Sequence, residues 1–198
     1  MRFTSSRAGN NSNPKSAGSF PIPAISAVIA VSALLALVPG CGTSRPPVEG
    51  KSDAEKEAAI NSMYEEYRAD FPDAAEIDVE ELLSLQESQD VLIVDVRTPE
   101  ERAVSKIPGA ITMESFDAMK KDLIDDVVVV HCTIGYRSGK YVEKLKAEGI
   151  KAYNLKGSIL SWVHADQPVV DAEGNETKRV HVYGERWNLL PDGYEAVW

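Results

Sequence analysis

A single cysteine stands between an apolar run and a helical pattern, where its thiol could act as a nucleophile. The segment "HCTIGYRSG" spans residues 131–139, follows four consecutive valines and precedes "KYVEKLKAEGI". A loop that joins a strand to a helix presents unpaired backbone N–H groups, and the helix N-terminus adds to their attraction for an anion. These groups and the cation of Arg137 would stabilise a thiolate at Cys132. The pattern predicts a nucleophilic cysteine, against the alternative of a buried and inert one.

The other residues of the loop have types that suit an anion-binding pocket. We expect Thr133 to donate a hydroxyl hydrogen bond and Gly135 to adopt backbone angles that a side chain would forbid. Ile134 and Tyr136 are expected to form the edge of the pocket. Arg137 is placed to bind a small oxyanion, so the loop predicts a site for an anionic substrate.

The elements around this loop alternate between strands and helices. Continuous apolar runs predict strands at "VLIVDV" and "VVVVHC", and shorter strands are expected at "IPGAITM" and "KAYNLKG". Helices are predicted at residues 53–71, at "VEELLSLQES" behind a capping aspartate, at "PEERAV", at 116–123, at "SGKYVEKLKAEG" and at "SILSWVHA". This alternation indicates the α/β class with a mainly parallel sheet. Binding sites in such sheets form at the carboxyl ends of the strands, where Cys132 stands.

Residues 1–40 are predicted to be a targeting segment outside the fold. A polar stretch with three positive charges is followed by an apolar one, and the clean helical run at 25–38 is shorter than the roughly 20 residues of a membrane span. It suits a secretory signal. The "VPGCG" that follows resembles the lipobox of bacterial lipoproteins, with Pro39 as a departure, and the resemblance implies lipid on Cys41.

An uncleaved anchor and a plain signal peptide remain alternatives to the lipoprotein signal. All three predict an exported domain, and we expect it on the extracytoplasmic (periplasmic) side, held at the membrane by its lipid. If Cys41 carries lipid, Cys132 is the only free thiol, because the chain has two cysteines. A lone thiol argues against a disulfide framework in an exported protein.

The charge balance excludes one class of partner. Residues 1–40 hold three basic and no acidic residues, so the remaining chain has 18 basic against 31 acidic residues, a formal charge of −13. Such a body is repelled by nucleic acid and by anionic lipid surfaces. We therefore expect no nucleic-acid partner, and membrane contact through the N-terminal anchor only.

Four motifs, in order, resemble the rhodanese family of sulfurtransferases. They are "DVRTPEE" at 95–101, "IPGA" at 107–110, "CTIGYRSG" at 132–139 and "NLKGSILSW" at 154–162, which is followed by "QPVV". The resemblance implies a three-layer fold in which a five-stranded, mainly parallel sheet lies between helices. It also implies that Cys132 takes a sulfane sulfur from thiosulfate or a similar anion as a persulfide and passes it to cyanide or a thiol. We expect neither a cofactor nor a metal ion.

The resemblance implies a division of the chain into segments. After the signal, residues 41–52 are rich in Gly, Pro and Ser and are predicted to be a tether. Residues 53–75 would form an N-terminal helical extension and 76–172 the rhodanese-like domain. Residues 173–198 would form a C-terminal extension, in which "RVHVY" is predicted to be a strand that turns at Gly184. This extension is expected to pack on the domain, with a partner surface as the alternative.

The length of the active loop separates two chemistries that the resemblance allows. Cys132 to Arg137 spans six residues, as in sulfurtransferases, whereas related phosphatases and arsenate reductases carry arginine at the seventh position, here Ser138. The length favours sulfur transfer, with Ser138 in a supporting role. Two alternatives stay open: a sulfur carrier or protein-interaction module without turnover, and, at a lower rank, a phosphatase or arsenate reductase.

Supporting residues are expected at the end of the preceding strand. Asp95 lies on the same side of the predicted sheet as Cys132 and is expected to hydrogen-bond the active loop or to orient Arg97. The resemblance favours a structural role for both, with Arg97 paired to Glu100 or Glu101.

Three further residues bear on the comparison with the family. His131 is expected to be a packed strand residue, since neighbours on a strand point to opposite faces. Lys106 and Lys156 depart from the family pattern, and the loop lacks the cluster of basic residues that favours thiosulfate in some members. The identity of the sulfur donor therefore stays open.

Overall fold

The chain is described here by a computed structural model, which covers residues 50–123 and 126–198. Six α-helices occur in these ranges, at α1 (Asp53–Arg68), α2 (Val79–Ser88), α3 (Pro99–Val104), α4 (Met113–Met119), α5 (Tyr136–Ala147) and α6 (Ser158–His164). The strands of the same ranges are β1 (Glu76–Ile77), β2 (Val91–Asp95), β3 (Ile111–Thr112), β4 (Val127–His131), β5 (Ala152–Leu155), β6 (Val169–Val170), β7 (Glu176–Thr177), β8 (Arg179–His181) and β9 (Glu195–Val197). Short 3₁₀ helices lie at Lys120–Asp122 and Glu185–Trp187.

Five of the strands form one parallel sheet in the order β1-β5-β4-β2-β3. The two continuous apolar runs of the sequence became β2 and β4, which pair in register from Val91 opposite Val127 to Asp95 opposite His131. The predicted α/β class and five-stranded parallel sheet are confirmed. Because β4 is central, its carboxyl end, and with it Cys132, lies in the middle of one edge of the sheet.

Helices cover both faces of the sheet, which confirms the three-layer arrangement. Alternate residues of a strand point to opposite faces. Accordingly Val129 packs into a core with Ile93 and residues of α1, α2 and α6, whereas Val128 and Val130 pack with α4 and α5. All three valines are fully buried, so β4 lies between two apolar layers, as its uninterrupted run of valines predicts.

The first two helices begin where the sequence predicts. Ser52 caps α1 and Asp78 caps α2, each in a reciprocal capping box with a glutamate three residues later. The predicted apolar stripe of α1 faces the domain, since Ile60, Met63 and Tyr64 are buried. The helix ends at Arg68 rather than at the predicted residue 71, and the chain continues in turns.

Two other helices differ in extent from the prediction. α5 starts at Tyr136, two residues before the predicted start, because Gly135 takes a left-handed conformation that turns the chain directly into the helix. α4 starts at Met113 behind a Thr112 cap and passes into 3₁₀ geometry after Met119. Strand β1 was not predicted from the apolar pattern, because two residues are too few to show an alternation.

The C-terminal extension packs against the same core as α1. β6 and β7 pair antiparallel, and β8 pairs with β9 in parallel, so the predicted strand at "RVHVY" is confirmed over Arg179–His181. Val180, Val182 and Leu189 are buried in one apolar cluster with Ile60 of α1. Both extensions are therefore continuous with the core of the domain that carries Cys132.

The predicted signal at 1–40, Cys41 and the tether up to residue 49 lie outside the described residues. Among residues 50–123 and 126–198, none of the helices combines the length and the apolar character that crossing a membrane requires.

Candidate active site

Cys132 follows the last residue of the central strand β4 and precedes the N-terminus of α5. Residues 132–135 make the turn between these two elements, and Gly135 ends it with φ +107°. The first N–H groups of a helix have no partner within that helix, so they are free to face the turn. The strand end and the helix start therefore place Cys132 beside backbone N–H groups of the turn and of the first turn of α5.

Gly135 is required at this position by its conformation and by its surroundings. A Cβ atom there would lie 2.6 Å from a ring carbon of Tyr64 on α1. The carbonyl of Gly135 accepts a hydrogen bond from Asn154 Nδ2 at 3.0 Å, and the same amide nitrogen donates to the Tyr64 hydroxyl at 3.0 Å. Residues of α1 and β5 thus fix the turn from behind, because each contacts its backbone.

The Sγ atom of Cys132 receives two hydrogen bonds, and a second serine lies nearby. The backbone N–H of Gly135 donates at 3.2 Å, the Ser138 hydroxyl at 3.5 Å and the Ser158 hydroxyl lies at 4.0 Å. The residue is only 1% exposed, yet it lines a cavity, so it reaches solvent through a pocket and not at the open surface. Of the loop N–H groups that the sequence predicted around the thiol, that of Gly135 donates to Sγ, and the Ser138 hydroxyl is a donor that was not predicted.

The pKa of the Cys132 thiol is lowered although the residue is buried. Burial by itself raises the pKa, because it penalises the thiolate. The positive charge of Arg137 and the hydrogen bonds from Ser138 and Gly135 outweigh that penalty. A lowered pKa increases the thiolate fraction at neutral pH, and the thiolate is the reactive form.

Arg137 forms a two-pronged ion pair with Glu101. Its Nη1 and Nη2 atoms each donate to a carboxylate oxygen at 2.7 Å, and Nη2 also donates to Thr133 Oγ1 at 3.1 Å. The Thr133 hydroxyl donates in turn to Glu101 at 3.2 Å. The hydroxyl hydrogen bond expected of Thr133 therefore goes to Glu101, and only part of the guanidinium edge is left to meet a substrate.

Glu101 is ionised and buried at 2% exposure. Burial raises its pKa, but the hydrogen bonds from Arg137 and from the Thr98 N–H, with the charge of Arg137, lower the pKa to about 2. This carboxylate offsets part of the positive charge that Arg137 presents to Cys132, because the two side chains are in direct contact.

The expected partner of Arg97 was wrong. Arg97 donates to both oxygens of Asp95, at 2.7 Å from Nη2 and 3.0 Å from Nε, and to the carbonyl of Ser105 at 2.7 Å, instead of pairing with Glu100 or Glu101. The reason is local: the backbone N–H of Arg97 also donates to Asp95, which folds the side chain back onto the residue two positions earlier. The expectation that Asp95 orients Arg97 is confirmed.

His131 packs beneath the loop, as predicted. The residue is fully buried, its Nδ1 lies 3.2 Å from the carbonyl of Cys132, and its Nε2 lies 3.5 Å from Asp95. Burial lowers the pKa of His131 in spite of the adjacent carboxylate. Its ring supports the carbonyl of Cys132 and does not contact the thiol.

A cavity of about 370 Å³ opens above the thiol. Five loop residues line it, and three aromatic residues from outside the loop complete its walls: Cys132, Thr133, Ile134, Tyr136 and Arg137, with Tyr67, Tyr183 and Trp187. Gly135, which was also expected at the pocket, is not among the lining residues. Ile134 is 4% exposed and forms part of the inner wall, while Tyr136 is half-buried nearer the entrance.

Sequence reasoning missed several residues that build the site. Glu101 forms a capping box with Thr98, and the sequence "TPEE" could have indicated it. The contact between Glu101 and Arg137 has no signal in the sequence. Ser158 accepts a hydrogen bond from the Cys132 N–H at 3.0 Å. Tyr183 and Trp187 reach the cavity from the C-terminal extension, whose chemistry the sequence did not reveal.

Comparison with known proteins gives a consistent result. The family model described as the Rhodanese-like domain matches residues 78–165. A sulfurtransferase of Allochromatium vinosum is 36% identical over 104 residues, which cover 50% of this chain and 97% of that protein. A tRNA sulfurtransferase of Desulfurococcus amylolyticus is 38% identical over 75 residues, 37% of this chain and 15% of that protein.

Solved structures are also similar to part of this chain. A rhodanese-like domain protein from Staphylococcus aureus is 37% identical, covers 44% of this chain and 90% of its own, and has a TM-score of 0.40. Thiosulfate sulfurtransferase from Pseudomonas aeruginosa is 19% identical, covers 63% of this chain and 24% of its own, and has a TM-score of 0.48.

Proposed function

Because this chain belongs to the rhodanese-like family of sulfurtransferases, we propose that it transfers a sulfane sulfur through a persulfide on Cys132. The donor is thiosulfate or a similar small anion, and the acceptor is a thiol or cyanide. One observation carries the proposal: Sγ of Cys132 accepts from the Gly135 N–H and the Ser138 hydroxyl at the N-terminus of α5. This setting favours a thiolate that faces a cavity.

The loading step forms one sulfur–sulfur bond and breaks another. The Cys132 thiolate attacks the outer sulfur of thiosulfate, and the electron pair of the broken bond leaves with sulfite: E–S⁻ + S–SO₃²⁻ gives E–S–S⁻ + SO₃²⁻. Cyanide then attacks the outer sulfur of the persulfide, leaves as thiocyanate and restores the thiolate. A thiol acceptor takes the sulfur in the same way and becomes a persulfide.

The loop assists both steps with fixed dipoles. The N–H groups of residues 133–137 hold the negative outer sulfur, and the part of Arg137 that Glu101 does not occupy guides the donor and the leaving group. Asp95 and Arg97 support the loop from below, because His131, which contacts the Cys132 carbonyl, packs against Asp95.

Mass spectrometry tests the proposal directly. After the full-length protein is incubated with thiosulfate, one added sulfur is expected on Cys132, and cyanide should remove it as thiocyanate. Cys132→Ser should abolish both. If the serine variant forms thiocyanate at the normal rate, Cys132 is not the nucleophile.

The same assays separate the alternatives. A carrier without turnover would load one sulfur and stop, whereas a sulfurtransferase would release thiocyanate steadily with excess donor and cyanide. Hydrolysis of a chromogenic phosphate ester would instead indicate the phosphatase chemistry that the six-residue loop disfavours.

We also propose that the domain is exported and held at the membrane by lipid on Cys41. The support is the apolar run at 20–38 and the small residue directly before Cys41. Intact-mass analysis of the protein extracted from membranes would detect the lipid, and an unmodified full-length mass would contradict the proposal.

A further inference from the structure

Half of the residues that line the cavity above Cys132 are aromatic. Four of the residues that line it carry aromatic rings, namely Tyr67, Tyr136, Tyr183 and Trp187. Three of them come from outside the part of the chain that the family model matches, since Tyr67 lies on α1 and the other two lie after β8. We call these four residues the aromatic wall, and three of its members therefore lie outside the residues that the family model matches.

The rings hold one another in place. Tyr183 and Trp187 meet edge to face with centroids 5.2 Å apart, and Tyr67 meets Tyr136 in the same way at 5.4 Å. Arg186 bridges the two pairs, because its guanidinium lies 4.4 Å from the Trp187 ring and donates to the Tyr67 hydroxyl at 3.4 Å. Contacts of this kind give the wall a defined shape before any ligand binds.

Ion pairs fasten the two extensions to each other. Lys56 of α1 contacts Asp192 at 2.6 Å and Asp53 at 2.8 Å, and the backbone N–H of Asp192 donates to Asp53 at 2.9 Å. Lys56 is buried, so its charge is held in place by these two carboxylates. These contacts hold α1, which carries Tyr67, against the C-terminal extension, which carries Tyr183 and Trp187.

Tyr183 is held in an unfavourable backbone conformation. Its φ is +70°, which residues other than glycine rarely adopt, and its side chain is the most exposed part of the wall. The ring lies with its centroid 5.3 Å from the Arg137 guanidinium carbon, over the cation of the active loop. The fully buried Val182 beside it fixes the chain at this point. The strain places an aromatic face beside the sulfur-binding loop, an arrangement typical of functional sites.

The charges in the cavity suit an anion with one negative charge better than one with two. Glu101 offsets part of the positive charge of Arg137 through its two-pronged contact, and the N–H groups at the start of α5 add to what remains. Arg137 is also the only basic residue from Cys132 to Arg137. A single, partly offset cation compensates a dianion such as thiosulfate less completely than it compensates a monoanion.

We propose that the aromatic wall binds the apolar group of an organic sulfur donor, a monoanion of the type R–SO₂–S⁻ in which R is aromatic or bulky aliphatic. The proposal rests on the function proposed above and specifies its donor. A cavity of about 370 Å³ lies in the size range of small-molecule pockets, about 300 Å³ or more, and has room for R beside the transferred sulfur. R packs between Tyr183, Trp187 and Tyr67 while the terminal sulfur faces Cys132.

Sulfur transfer from such a donor forms one sulfur–sulfur bond and breaks another, as it does for thiosulfate. The thiolate attacks the terminal sulfur, and the electron pair of the broken sulfur–sulfur bond leaves with the sulfinate: E–S⁻ + R–SO₂–S⁻ gives E–S–S⁻ + R–SO₂⁻. The sulfinate carries R away from the wall and leaves the persulfide for the acceptor.

Steady-state kinetics with two donors test the proposal on the full-length protein. With cyanide as the acceptor, kcat/KM for benzenethiosulfonate should exceed that for thiosulfate. Tyr183→Ala should lower the ratio of the two values about tenfold, since it removes an aromatic contact and apolar area. Trp187→Leu should lower it in the same direction while it keeps apolar bulk. Trp198→Ala is the control, because Trp198 is an exposed aromatic residue of the same extension that does not line the cavity.

A binding measurement isolates the wall from turnover. Calorimetry on Cys132→Ser should show benzenesulfinate binding more tightly than methanesulfinate, which has the same head group without a ring, and Tyr183→Ala should remove the difference. An unchanged donor ratio in Tyr183→Ala, or an equal change in Trp198→Ala, would overturn the proposal. If thiosulfate loads Cys132 but neither aromatic preference is found, only this inference fails. If neither donor loads sulfur, the proposed function fails, and this inference fails with it.

Discussion

Arg137 and Glu101 are joined by two hydrogen bonds of 2.7 Å, although 36 positions separate them in the chain. Glu101 lies at the start of α3 and Arg137 in the first turn of α5, so the pair ties two strand-to-helix loops together at one edge of the sheet. It also sets the charge beside Cys132, because the cation that stabilises the thiolate is held by a buried carboxylate.

Removing the positive charge of Arg137 should raise the pKa of the Cys132 thiol. Arg137→Gln eliminates the charge that lowers this pKa, whereas Arg137→Lys keeps a cation without the two-pronged geometry. The pH dependence of thiolate absorbance in the ultraviolet should shift upward in the glutamine variant and much less in the lysine variant. Sulfur loading at neutral pH should fall roughly a hundredfold in the glutamine variant.

Lys140→Gln is the matched control for this experiment. It removes one positive charge from the same helix, but Lys140 is exposed and lies over the Tyr136 ring. Its effect on the pKa should be small. Equal shifts for Lys140→Gln and Arg137→Gln would mean that the helix charge as a whole, and not Arg137, lowers the pKa.

Acid should destabilise the fold through Glu101. Its pKa is about 2 in the folded protein and 4.5 ordinarily, so the unfolded chain binds more protons between these values. The stabilisation is complete above the ordinary pKa and is lost as the pH falls toward 2, and the shift corresponds to about 3 kcal/mol. Glu101→Gln should lower the free energy of unfolding at neutral pH and flatten its decline from pH 5 to pH 2, as measured by urea denaturation.

Part of the decline will remain, because the pKa of Asp95 is also lowered to about 2: burial raises it, but the charges of His131 and Arg97 outweigh burial. Glu100→Gln provides the control, since Glu100 is an exposed neighbour on the same helix. An unchanged acid profile in Glu101→Gln would show that the ion pair does not stabilise the fold.

The strands that position the thiol were predictable because burial leaves a strong signal. The apolar runs at β2 and β4 and the glycine before α5 place Cys132 at the carboxyl end of a buried strand without knowledge of any long-range contact. That this strand is the central one follows only from the sheet order in the structure. The predicted ion pair between Arg97 and Glu100 or Glu101 was nevertheless wrong. Arg97 pairs with Asp95, and Glu101 contacts Arg137 instead. Sequence proximity does not decide between partners that the fold brings equally close.

The walls of the cavity could not be predicted for a different reason. Tyr67, Tyr183 and Trp187 meet only because α1 and the C-terminal extension pack on one face of the sheet, and periodicity contains no information on that packing. The sequence showed an apolar stripe on α1 and aromatic residues near the C-terminus, but not that they meet above Cys132.

Gly135→Ala should be more damaging than an alanine at another left-handed glycine. Gly135 and Gly109 have φ values of +107° and +77°, but a Cβ at Gly135 would meet the Tyr64 ring at 2.6 Å while a Cβ at Gly109 would meet nothing within 4 Å. Gly109→Ala should cost only the backbone strain, about 1–2 kcal/mol. Gly135→Ala adds the displacement of Tyr64 and should also slow sulfur loading. Equal losses of stability in denaturant titrations would mean that Tyr64 moves aside freely.

Ser158 is predicted to be a positioning residue for Cys132. Its hydroxyl accepts from the Cys132 N–H at 3.0 Å and donates to the Leu155 carbonyl at 3.1 Å, and the residue is fully buried with φ +51°. Ser158→Ala leaves the N–H without a partner, which costs about 1–3 kcal/mol. Ser158→Gly makes the same loss but relieves the left-handed strain, so it should be the more stable variant.

Stability alone would not separate positioning from packing, so the reactivity of the thiol is the deciding measurement. Both Ser158 variants should alter the pH dependence of alkylation of Cys132, because the hydroxyl that orients its backbone is gone in each. Ser84→Ala, an exposed serine on α2, should alter neither stability nor alkylation. If the glycine variant is alkylated with the wild-type pH profile while its stability falls, Ser158 serves the packing of α6 and does not position the thiol.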